Sequence, residues 1–289
     1  MSRRWSEVSD DTFGATIAKR KLSRRLTQLR QANGYTANQV CDRLDWGRGK
    51  VGRFEANTWR RPEMSDIRDL LRLYEKSEDV RQELEELAVR ARERAWWRDY
   101  SDVFDNEFPG FEGDAERIRV YVPLVVPGLL QTRSFIEAYM GTDTLTGETR
   151  ERAIEARLRR QAVLDRAESP PRVVAVITEA ALAYHWGSTA CQRGQVAHLI
   201  EMGERPNVEL RMVRFADGPP PGLQGPVNIF DFPGDEPSMV FAETEFSLYE
   251  VLNTKEAEVY IDSFERTRRA AAEPAETAAY LKEYIRKLE

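Results

Sequence analysis

The chain has 289 residues, 41% of them apolar, which is enough to bury a proper core and long enough to suggest two domains, the first small. No run of about 18 apolar residues exists and the opening MSRRWSEVSDDTFG has no apolar centre, so neither a membrane span nor a signal peptide is expected. The net charge of −6 is unevenly spread: residues 1–62 carry 14 Lys/Arg against 6 Asp/Glu, the remainder 29 against 43, a basic head on an acidic body. Cys41 and Cys191 are the only cysteines and lack metal-type spacing, so a cytoplasmic chain independent of disulfides is expected.

Residues 1–15 read as a flexible leader. From Thr16, Leu22, Leu26 and Leu29 recur at helical spacing, with Lys19, Arg20, Lys21, Arg24 and Arg25 on the polar side. Asn33-Gly34 closes this helix, since both residues tolerate a left-handed cap. Thr36 is a good N-cap for a second, short helix through Leu44, with Val40 inward. Trp46-Gly47 makes a turn, and a third short helix follows with Val51 and Phe54 inward. Asn57-Thr58-Trp59-Arg60-Arg61-Pro62 is a polar break. A fourth helix starts near Ser65, and a long charged helix runs from Asp79 to about Arg98, ending in Trp96-Trp97.

The second half alternates. Strands are expected at Arg119–Val122, Arg172–Thr178, Val208–Arg214, Val227–Phe232, Ser238–Ala242 and Ser247–Val251. Helices are expected at Gly128–Met140 behind Pro127, and at Glu148–Ala167, Glu179–His185, Thr189–Glu204, Lys255–Ala272 and Glu276–Leu288. The spacing therefore predicts a mostly α chain with a C-terminal α+β domain. Its parts are the leader over 1–15, a helical bundle over 16–76, a linker helix over 77–100 and an α+β domain over 101–289.

The informative stretch is TANQVCDRLDWGRGKVGRFEAN, Thr36–Asn57. Two short helices joined by a tight turn cannot bury much alone and need Leu22, Leu26 and Leu29 behind them. At about 100° per residue, Val51 and Phe54 fall on one side of the third helix, and Arg48, Gly49, Gly52 and Arg53 within about 140° on the other. That outer face is small and basic, a shape that fits the DNA major groove. Arg48 or Arg53 can offer a bidentate fork to guanine. Lys50, Asn57, Thr58, Arg60 and Arg61 border the face and suit phosphates, which fix register rather than sequence.

At these residues the chain resembles the lambda repressor/Cro-like (XRE) helix-turn-helix family. Thr36, Val40, Cys41, Leu44, Val51, Phe54, Glu55 and Asn57 carry the resemblance. It implies base-facing roles for Arg48, Gly49, Gly52 and Arg53, and an ion pair between Arg30 and Glu55. Ala37, Asp45 and Gly47 depart from it, standing where the family has a phosphate-touching Gln, a turn Gly and a capping Ser or Thr; by the same resemblance Asn38 is expected to replace the lost Gln contact to phosphate. Further on, RRPEMSDIRDLLRLYEKSEDVRQELEELAVRARERAWWRDYSDVF, VPGLLQT at Val126–Thr132 and GLQGPVNIFDFP at Gly222–Pro233 resemble the WhiJ-like regulators of actinomycetes. That likeness implies a regulator of transcription, a homodimer on double-stranded operator DNA, and a C-terminal antitoxin-like domain modulated by a small acidic partner protein.

Other features have bland explanations. His185 and His198 have no neighbouring ligands at suitable spacing, and Cys41 sits where a small apolar residue belongs. Trp96, Trp97 and Tyr100 suit packing better than a ligand platform. No phosphate-binding Gly-rich loop, zinc motif or nucleophile elbow is present, so no enzyme activity, cofactor, metal or catalytic residue is expected. Two rival readings remain. In one the C-terminal domain binds a small molecule, lined by Gly218–Gly225, Phe230 and Phe232. In the other the protein is a protein–protein adaptor with a degenerate helix-turn-helix.

Overall fold

The structure, a computed structural model, describes residues 14–59, 61–142, 146–222, 225–244 and 248–288. Residues 1–13 of the expected leader, and Arg60, lie outside the described residues. The chain is mostly helical with a six-stranded sheet in its C-terminal part, as its patterning predicts. It divides into two units: the described residues up to Asp99 with Asn106–Asp114, and Tyr100–Asp105 with Ala115 onward.

The N-terminal unit consists of helices α1 (Ala15–Ala32), α2 (Ala37–Arg43), α3 (Lys50–Glu55), α4 (Met64–Leu73), α5 (Glu78–Ala91) and α6 (Phe108–Asp114). Ile17, Leu22 and Leu26 of α1 are buried against the other helices, as are Val40, Val51, Phe54, Leu70 and Leu84. The linker reading of 77–100 needs correction. The helix stops at Ala91, packs along α1 as part of this unit, and gives way to a 3-10 turn at Trp96–Tyr100. Nor is α1's polar side wholly polar. Lys19 is buried, its Nζ 2.9 Å from Glu107 and 5.6 Å from the centre of the Trp59 ring. α6 was not foreseen. Its last residue, Asp114, accepts the Ile17 N–H at 2.9 Å, satisfying a donor at the start of α1 that its own N-cap, Gly14, leaves open.

The C-terminal unit holds strands β1 (Arg117–Val122), β2 (Arg172–Thr178), β3 (Val208–Val213), β4 (Val227–Asp231), β5 (Met239–Glu243) and β6 (Leu248–Val251). Their order is β3-β2-β1-β4-β5-β6. β1, β2 and β3 run parallel, whereas β4, β5 and β6 join antiparallel. β2 sits between two parallel neighbours and is buried from Val173 to Ile177, which explains its unbroken apolar run. The helices are α7 (Arg133–Tyr139), α8 (Gly147–Gln161), α9 (Ala180–Ala183), α10 (Thr189–Gly203), α11 (Thr254–Ala270) and α12 (Pro274–Lys287). Phe264 of α11 packs into one face of the sheet with Tyr121, Val174, Val176 and Ile229.

Pro127 does not open one long helix. Gly128–Leu130 form a 3-10 turn, Gln131 is extended, and Thr132 caps the separate α7 by accepting the Phe135 N–H at 3.2 Å. The VPGLLQT segment is held by glutamine side chains. Gln195 receives Thr132 N–H at 2.8 Å and donates to Leu130 O at 2.7 Å, while Gln161 donates to the carbonyls of Gly128 and Gln131. Phe230 and Phe232 are core residues rather than pocket lining. Gly222 presses on α11 so closely that a Cβ there would lie 2.1 Å from Ser263 O.

Glu209 on β3 collects Arg211, Arg268 and Arg172 at 2.6, 2.8 and 3.0 Å. Burial pushes its carboxyl pKa up, but the three guanidinium hydrogen bonds outweigh that and hold it at about 2. A depressed folded-state pKa stabilises above the unfolded value of 4.5 and is lost as pH falls toward 2, here on the order of 3 kcal/mol. Acid unfolding of the C-terminal unit should therefore be less steep between pH 4.5 and 2 in Glu209→Gln. Parallel curves for the two proteins would refute this.

Candidate nucleic-acid interface

The site is built on α2, the turn and α3. Thr36 Oγ1 accepts the Gln39 N–H at 3.2 Å and Gln39 Oε1 accepts the Thr36 N–H at 2.8 Å, a reciprocal cap that fixes where α2 starts. Asn38 follows on α2 and is exposed. The turn out of α2 places Asp45 at φ +52°, a left-handed position that Asp tolerates better than most residues, so the missing turn Gly costs little.

α3 begins later than helical counting implies. Its N-cap is Gly49 at φ +85°, with no side-chain cap, so Arg48 and Gly49 stand in the turn ahead of the helix and only Gly52 and Arg53 lie on it. The four residues still share one neighbourhood. Arg53 N–H donates to Gly49 O at 3.0 Å, and a Cβ at Gly49 would lie 3.8 Å from Arg53 Nη1. Gly47 and Gly52 face open space, where an added Cβ meets nothing within 4 Å. Glycine inside a helix costs about 0.5–1 kcal/mol relative to alanine. Internal packing gives no reason for it at 52. Arg48 and Arg53 are exposed, and neither side chain has a hydrogen bond or ion pair among the described residues.

The flanking polar residues divide. Lys50 turns inward, its Nζ 2.6 Å from Asp66 Oδ1 and 4.1 Å from the centre of the Trp46 ring, so its charge is compensated within the unit. Asn57 is also structural. It sits at φ +57° after α3, accepts from Ser23 Oγ at 3.2 Å and donates to Glu107 at 3.5 Å. Thr58 and Arg61 are exposed, and Arg60 lies outside the described residues. Lys50→Ala is thus expected to lower the stability of the unit by about 1 kcal/mol. It should leave the salt slope of DNA binding unchanged; a slope reduced by about one would return Lys50 to the phosphates.

Behind the face, Arg30 Nε and Nη2 bind Glu55 Oε1 and Oε2 at 2.5 and 3.0 Å, and Nη1 reaches Tyr35 O at 2.6 Å. This forked pair, named from the family resemblance, ties α1 to α3 and to the turn before α2. The hydrogen bond to Glu55 raises the Arg30 pKa further. Trp59, read from sequence as part of a polar break, is buried. It packs on Phe54 at 5.6 Å between ring centres, and its indole N–H is within reach of Ser23 Oγ at 3.0 Å and Phe54 O at 3.2 Å. A lone tryptophan five residues beyond Phe54 was the available signal.

A capped helix, a tight turn and a second short helix, braced by a long helix and showing an uncommitted basic end, define a helix-turn-helix DNA-binding regulator. A helix-turn-helix domain model matches residues 21–84. The chain belongs to the DUF5753 family, a domain of unknown function whose model matches residues 106–283. No curated protein and no solved structure matches the chain. Among the described residues, no helix is long and apolar enough to cross a membrane.

Proposed function

We propose that this protein is a sequence-specific transcription regulator of the WhiJ-like XRE type that occupies operator DNA as a homodimer. Arg48 and Arg53 read base edges, Gly49 and Gly52 let the backbone approach, and Asn38, Thr58 and Arg61 touch phosphates. The observation that carries this reading is the pairing of two uncommitted, exposed arginines with a helix glycine that faces open space. The C-terminal unit takes no part in catalysis. It receives a signal from a small acidic partner protein, in the manner of an antitoxin, and acts in the cytoplasm.

The test is selection of bound duplexes from a random pool with the full chain at moderate salt. A recovered motif should show two half-sites about 34–36 Å apart, or a multiple of that. Recovery of no preferred sequence would sink the proposal. A single unrepeated half-site would remove the dimer and leave the reading helix.

A further inference from the structure

An open groove of about 530 Å³ runs along the outer side of α5, and the described residues lining it are Glu78, Gln82, Glu85, Glu86, Val89 and Arg90. The inner side of the same helix faces the core, with Leu84, Leu87, Ala88 and Ala91 buried. Val89 stands 56% exposed, and among the described residues of the N-terminal unit it is the one large apolar side chain left so open. The outer stripe is also graded in charge. Glu78 opens it, its side chain 87% exposed, and Arg90 closes it about 18 Å along the axis. Between them Gln82 donates to Glu86 at 2.9 Å. The acidic residues nearest the middle already have cations within the unit: Arg68 meets Glu85 at 3.0 Å and Arg25 meets Glu83 at 3.4 Å.

A helix whose charge runs from negative to positive is complementary to its own reverse. Two copies of α5 laid antiparallel about a two-fold axis level with Leu84 set Glu78 of each against the partner's Arg90, and Gln82 against the partner's Glu86. The helix dipoles then oppose each other, which favours the same direction. A parallel pair would instead set like charges at Glu78 and at Glu86 face to face. The antiparallel contact also covers Val89. Being two-fold, it is self-complementary and closes at two copies.

We propose that the outer stripe of α5 is the surface through which two copies of this chain pair, antiparallel about a two-fold axis, with Glu78 and Arg90 as the reciprocal contacts. The inference rests on the homodimer reading above and deepens it by naming its contact. One helix stripe offers less than the about 800 Å² per partner of a standard interface, so the pairing is weak and salt-sensitive in the free protein.

Sedimentation equilibrium of the full chain at low salt reads the pairing. The parent is expected to form a dimer that loosens as salt rises. Glu78→Arg sets two cations at each contact and Arg90→Glu two carboxylates, so either variant alone should self-associate at least about tenfold more weakly. Mixed in equal amounts, the two should pair with each other about as well as the parent pairs with itself, because each contact regains opposite charges. Val89→Asp, at an exposed position that leaves the fold intact, should weaken the parent dimer as well; circular dichroism checks the folding of every variant. A monomeric parent, a single variant as dimeric as the parent, or a mixture no tighter than its components would overturn the proposal. Duplex selection tests the reading helix separately. A half-site recovered by a monomeric chain removes only the α5 contact, and an intact α5 dimer without base preference removes only the reading of DNA.

Discussion

Replacing Glu55 with alanine is expected to cost the N-terminal unit about 3 kcal/mol. The Glu55 and Arg30 side chains are only 18% and 14% exposed, so the surviving guanidinium cannot regain a full hydration shell. Removing one partner of a buried pair costs about 3–5 kcal/mol, and partial exposure places this pair at the low end. For a domain of this size that is a fall of about 12–24 °C in Tm. The double variant Arg30→Met with Glu55→Leu should recover much of the loss, because no charge is then stranded. Thermal unfolding followed by near-ultraviolet dichroism reads both. If Glu55→Ala melts within about 2 °C of the parent, the fork contributes only what a surface pair does.

The second large effect concerns recognition. Arg48→Ala and Arg53→Ala should each weaken binding to the selected duplex by about 1–3 kcal/mol, a factor of about 5–150. Each should also relax preference at one base position. Gly52→Ala separates folding from recognition. A methyl there meets nothing in the unit, so the helix should gain about 0.5–1 kcal/mol while operator affinity falls. An Arg53→Ala protein that still discriminates bases, or a Gly52→Ala protein that gains both stability and affinity, would take α3 out of the groove.

Much of this fold can be read from the sequence where one local rule dominates. Arg172–Thr178 is legible because a strand between parallel neighbours must be apolar throughout. α1 is legible because Leu22 and Leu26 keep helical period. α6 is not: FPGFEGD contains one proline and two glycines, and forms only because Phe108 and Phe111 are buried and Asp114 completes α1. Gly110 is required there, since a Cβ would fall 2.1 Å from Thr16 Oγ1. The overrun of α5 has a similar origin, because RARERAWW carries no stop signal and the helix end is set by tertiary packing. Within the site, the arginines and glycines stand out by residue type. The start of α3 does not, because it depends on Gly49 adopting a positive φ. The fates of Lys19 and Lys50 were hidden for another reason: each is a surface residue by composition and acquires its counter-ion from a distant part of the chain.

The position of α6 in the chain bears on how the protein can be cut. A fragment ending near residue 76, or at the 106 boundary of the family match, would keep the helix-turn-helix segments but discard Glu107 and Asp114. The Lys19 ammonium would then be stranded and the first turn of α1 left uncapped. An autonomous reading head has to extend through Asp114, so the shortest useful clone is set by a counter-ion and a cap rather than by the edges of a recognised motif.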